Sequence, residues 1–178
     1  MTRAGRACTA AAAPLVLALV VACAPGTLPP PPPAPVRDAW PGCVAAGAFV
    51  GDDFSGPPGA VVGSVPEGFV ARSAVLCSRE ERPDAQDGQV LTELERTSTA
   101  VGPLLTYLAR PSEEPTDDPC PAIGIGRPWL FLLDASGRYL VPAIPTDACG
   151  LPLGWSDERQ AWETVPYADR VLGPSRHR

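Results

Sequence analysis

The chain has 178 residues, 24 of them proline and 17 glycine, and a net charge of −6. All 14 basic residues are arginine, which excludes Schiff-base catalysis and a phosphate-cradling lysine loop. The acidic balance also argues against a nucleic-acid binder, which needs a basic face.

In chain order, residues 1–22 read as a targeting segment. Arg3 and Arg6 supply a positive start, and Ala10 to Ala22 is a short apolar run. That run falls short of the ~20 apolar residues a membrane span needs. The segment ends Val20-Val21-Ala22-Cys23, which resembles the lipobox of bacterial lipoproteins. The resemblance implies that Cys23 becomes the first mature residue and carries a lipid that anchors the protein to the outer side of the cell membrane. Plain secretion, with Cys23 unmodified, is the alternative.

Residues 23–39 read as a proline-rich linker. Leu28 to Pro35 is nearly all proline and is expected to form a stiff polyproline II spacer. Residues 40–172 are then a single domain, and residues 173–178 a disordered tail. Without residues 1–22, which hold Arg3, Arg6 and no acid, the net charge falls from −6 to −8.

Four cysteines remain in the mature chain: Cys43, Cys77, Cys120 and Cys149. An even count in an exported protein points to two disulfides. Of the three pairings open to four cysteines, Cys43–Cys77 with Cys120–Cys149 is expected, the second clipping together the segments that flank a central hairpin. No Cys-x-x-Cys occurs and the one histidine, His177, is terminal, so no metal and no cofactor are expected.

Trp40 to Glu67 reads as irregular chain with a short strand near Val44 to Val50, and Asp52-Asp53 as a solvated turn. Phe69 to Ser78 alternates as a strand, with Phe69, Ala71, Ser73, Val75 and Cys77 on one face and Val70, Arg72, Ala74 and Leu76 on the other. Arg79 to Gly88 is charged and reads as a connecting turn. Gln89 to Thr97 follows as a second strand.

Gly102 to Arg110 reads as a short helix, with Pro103 in its first turn, Pro111 as its stop and Leu104, Leu105 and Leu108 as its stripe. Pro111 to Pro119 is an acidic loop expected to lie in water. The strongest signal comes next. Trp129 to Leu133 is an unbroken apolar run, Asp134-Ala135-Ser136-Gly137 a turn, and Tyr139 to Val141 a returning strand. Pro142 and Pro145 place that return arm at a sheet edge or make it leave early. Ser156 to Trp162 reads as a brief helix and Thr164 to Leu172 as a last short strand.

Two further resemblances rest on these residues. Pro66-Glu-Gly-Phe, Ala74-Val-Leu-Cys, Leu108-Ala-Arg-Pro-Ser, Leu132-Leu-Asp-Ala-Ser-Gly-Arg and Val141-Pro-Ala-Ile-Pro-Thr-Asp-Ala-Cys-Gly look like a group of actinobacterial secreted or lipid-anchored proteins without an assigned function. The order strand, strand, helix, Cys-Pro loop, hairpin, Cys is similar to the subtilisin-inhibitor-like fold. That second resemblance implies an inhibitory loop at residues 120–126, with the reactive bond between Ala122 and Ile123. This chain has no cysteine between Cys77 and Cys120, where those inhibitors carry one near the helix start.

The expected architecture is α+β: a small antiparallel sheet with one or two short helices on one face and two disulfides. The expected function is non-enzymatic, a lipid-anchored extracytoplasmic module that binds a protein partner, either a protease or a surface component. With no lysine and a terminal histidine, only Asp, Glu, Tyr and Arg are left for catalysis. An exposed apolar patch around Trp129, Trp155 or Trp162 would mark a binding face.

Overall fold

A computed structural model of the chain describes residues 26–49, 59–84, 88–122, 129–154 and 165–174. The strands are β1 (Val62–Gly63), β2 (Ser73–Asp84), β3 (Gly88–Ser98), β4 (Trp129–Leu133), β5 (Tyr139–Pro142) and β6 (Ala168–Pro174), with one helix, α1 (Val101–Leu108), between β3 and β4. They form one six-stranded sheet in the order β1-β5-β4-β2-β3-β6. Every pairing is antiparallel except β1 with β5. The sheet is thus larger than the small one expected, and among the described residues the helical content is one short helix.

β2 is the centre. Ala74 to Cys77 pairs with β3 on one side and β4 on the other. Successive side chains in a strand point to opposite faces, and both faces here are covered. Ala74, Leu76, Leu130, Leu132 and Leu140 face α1, whose Leu104 and Tyr107 pack on them. Val75, Cys77, Phe131, Tyr139 and Val141 face the other way, against Cys43, Ala48 and Trp40. The unbroken run Trp129 to Leu133 follows from this, because a strand covered on both sides has no solvent face to make polar.

Two corrections concern β2. The ladder begins at Ser73, not Phe69. Phe69 and Ala71 pack in the α1-side cluster with Ala74 and Leu76, because the period-two rule does not hold before the ladder starts. The strand also runs on to Asp84, through the charged stretch expected as a turn. Cross-strand charge pairing explains the extension. Arg79 stands opposite Glu93, with 3.6 Å between their charged groups, and Glu80 reaches Arg96 at 3.1 Å.

Residues 43–49 form turns, not the expected strand. The Ala46 and Ala48 amides donate to Gly42 O and Cys43 O at 2.9 and 3.1 Å. The expected helix at 156–162 lies outside the described residues. β3, α1, β4, β5 and β6 fall where the sequence puts them to within a few residues.

The largest correction concerns the proline-rich segment. Residues 26–40 are not a free spacer. Leu28 N donates to Ser112 O at 2.8 Å, Ala34 N to Ser64 O at 2.9 Å, and Arg37 and Tyr139 exchange both backbone bonds. Ala34 is 3% exposed. The segment continues the sheet beyond β5 and β1, bridging Arg37 to Tyr139 and Pro33 to Ser64. β5 is therefore not the edge strand expected, since it pairs with both β1 and β4; it does leave early, ending at Pro142. Proline lacks a donor, yet its carbonyl still accepts: Ser64 N donates to Pro32 O at 3.0 Å.

Candidate functional site

Two features stand out. The first is a groove of about 450 Å³ between the proline segment, the end of α1 and the chain after β5. Pro29, Pro30 and Pro31 form one wall, and Leu105 and Leu108 another. Ile144 and Pro145 close it. The volume is in the ~300–1,000 Å³ range of small-molecule sites.

Local rules build each wall. α1 has no side-chain cap at Ala100, although Ser98 Oγ accepts the Ala100 amide at 3.2 Å. Leu104 and Tyr107 face the sheet and are buried. Tyr107 is fixed by its hydroxyl, which donates to Leu153 O at 3.2 Å. Leu105 and Leu108 belong to the same stripe but lie at its margin, half-buried, and that uncovered margin is the groove wall. The helix stops as expected: Ala109 N and Arg110 N donate to Leu105 O and Tyr107 O, and Pro111 follows. Arg110 then projects from the wall, its guanidinium 5.9 Å from the Tyr107 ring centre. It is the single charged residue of the lining.

The second feature is the loop at Cys120. The acidic loop before it is not simply solvated. Residues 112–116 lie between residues 26–28 and 146–148: Glu114 N donates to Gly26 O at 2.9 Å, and Glu113 N and Thr116 N donate to Thr146 O and Ala148 O. The Glu113 carboxylate accepts the Ala148 amide at 3.0 Å. Asp147 Oδ1 accepts the Cys149 and Leu151 amides, both at 2.9 Å, which rigidifies the turn carrying Cys149. Cys149 is bonded to Cys120 with Cα atoms 5.5 Å apart. Cys120, Pro121 and Ala122 are all exposed, and Ile123 lies outside the described residues.

The other disulfide, Cys43–Cys77, has its Cα atoms 5.7 Å apart and is buried in the second core cluster. Two disulfides suit an oxidising, extracytoplasmic environment. No described helix is long and apolar enough to cross a membrane. Among the described residues no three potential metal-ligating side chains cluster.

Cys23, the expected lipidation site, lies outside the described residues, as do Trp155 and Trp162. Trp129 is half-buried and packs on the second core cluster, so it does not form the expected surface patch. Sequence reading missed the groove. The sequence carried no clear signal for it: Val101, Leu104, Leu105 and Leu108 make an ordinary core-facing stripe, but the helix buries Leu104 and Tyr107 instead, which leaves Leu105 and Leu108 at the margin. Neither a protein family, nor a curated protein, nor a solved structure matches the chain.

Proposed function

We propose that the chain is a non-enzymatic, extracytoplasmic binding module, tethered through a lipid on Cys23, whose recognition site is the proline-walled groove. The groove itself carries the reading: it is apolar, about 450 Å³ in volume, and framed by backbone hydrogen bonds and buried side chains. Its proline wall begins six residues after Cys23, so a tethered protein would hold the site near the membrane.

The test is site-specific photo-cross-linking in cells. A benzophenone side chain at Ala109, in the groove wall, should capture an occupant that the same probe at the exposed Ala135 does not. Equal labelling at both positions would end the reading. Membrane release of Cys23→Ala tests the tether separately.

A second reading is favoured by the exposed Cys120-Pro121-Ala122, clipped from behind by Cys149 and the bonded turn at Asp147. This arrangement suits a serine protease inhibitor with its reactive bond between Ala122 and Ile123. Stoichiometric loss of subtilisin activity, abolished by Ala122→Asp, would support it. Rapid cleavage of the loop with subtilisin left fully active would end it.

A further inference from the structure

We propose that the groove takes one hydrocarbon chain of a single-chain anionic amphiphile, such as a long-chain fatty acid, with its head group at Arg110. This deepens the binding-module reading and rests on it.

The lining selects hydrocarbon over peptide. Five of its residues are proline: Pro29, Pro30, Pro31, Pro111 and Pro145. None has a backbone donor. Several of the backbone donors that remain are engaged: Ser64 N is given to Pro32 O, Ala143 N to Gly63 O, and Ala109 N and Arg110 N close the helix. Ser112 Oγ accepts the Thr146 amide. A bound peptide would therefore find few backbone donors for its carbonyls, a cost a hydrocarbon chain does not meet. Val65, Leu105, Leu108 and Ile144 give such a chain continuous apolar contact.

The head group follows from charge. Arg110 is exposed and makes no ion pair among the described residues; its contact is with the Tyr107 ring. The domain is acidic as a whole, which disfavours anions at long range. That field is screened beyond ~8 Å at physiological salt, so the adjacent guanidinium decides. Glu113, which follows the lining residue Ser112 in the chain, directs its carboxylate to the Ala148 amide.

Position gives the source. Pro29 is six residues from Cys23, a span of at most about 21 Å for extended chain. If Cys23 is lipidated, the groove opens within reach of the bilayer, where single-chain amphiphiles partition.

The test uses the full chain carrying Cys23→Ala, which cannot carry a lipid at that position, so its outcome does not depend on lipidation. cis-Parinaric acid is titrated by fluorescence, then displaced by saturated fatty acids of about eight to about sixteen carbons. Affinity should rise up to about fourfold per methylene until the groove is filled. The acid should bind at least about tenfold tighter than its methyl ester, and Arg110→Gln should remove that difference. Leu108→Glu should abolish binding. Ile144→Trp, which fills the groove from another wall, provides a second blocked variant if Leu108→Glu does not fold.

Absence of saturable binding by the folded protein would overturn the proposal. So would undiminished binding in the folded blocked variants, or equal affinity for acid and ester. A protein captured at Ala109 together with no fatty-acid binding would leave the binding module standing and remove this ligand class.

Discussion

Gly63 approaches Ala34 so closely that a β-carbon on Gly63 would stand 2.5 Å from the Ala34 nitrogen and 2.3 Å from Pro32 O. Both are backbone atoms and cannot swing aside. Gly63→Ala should therefore push residues 32–34 off β1 and cost about 1–3 kcal/mol. Hydrogen exchange at the Ala34 and Ser64 amides should accelerate selectively. Unchanged protection there would show that the docking is not held at this point.

The two disulfides should differ in reducibility. Cys43 and Cys77 are 0% and 2% exposed, whereas Cys120 is on the surface. A thiolate must reach a sulfur atom to exchange. Graded reductant followed by alkylation and mass mapping should label Cys120 and Cys149 first, with Cys43 and Cys77 labelled only on unfolding. Removing the buried bridge should cost about 2–5 kcal/mol, with an added cavity penalty that the surface bridge lacks.

Glu95 should matter more than its ion-pair partner. It is 7% exposed, accepts the buried Cys43 amide at 2.8 Å and pairs with Arg170, whose side chain is 63% exposed. Glu95→Ala strands a buried donor and should cost about 1–3 kcal/mol. Arg170→Ala loses a largely solvated pair and should cost less than about 1 kcal/mol. Urea denaturation of the two variants checks the ranking, and equal losses would contradict it.

The hairpin turn carries a pH signature. The Asp134 carboxyl is lowered from 3.8 to about 2, chiefly by the Ser136 hydroxyl, with desolvation opposing and with Arg138 and the two amides adding to the effect. A depressed carboxylate stabilises the fold above its unfolded value and loses that contribution as pH falls through the folded one. The loss should therefore run from about pH 3.8 down to about pH 2. Asp134→Ala should flatten the stability profile in that window and leave the rest of the curve parallel. Carboxyl NMR should place the Asp134 midpoint below the ordinary range.

The central hairpin was legible because its information is local. An apolar run, Asp134 bonding back at Ser136 and Arg138, and Gly137 at φ 79° all lie within fifteen residues. The cysteine count likewise signalled two bridges. The β2 extension was not legible, because Arg79, Glu80, Glu93 and Arg96 read singly as solvated charges and only their register makes them pairs. Docking of the proline segment was hidden for a related reason: prolines show no strand period, and the partner that admits them is a glycine some thirty positions away. The groove needed three separate segments to be assembled before it existed.

The Cys43–Cys77 bridge has a mechanical consequence. Tension drawn from the amino-terminal side would first peel the bridges at Thr27, Pro33 and Arg37, each held by one or two hydrogen bonds. It would then arrive at Cys43 and pass through a covalent bond into β2, the strand gripped from both sides. A pulled molecule would pay out a short length of slack and stop, with the sheet intact and its grooved face stripped of one wall.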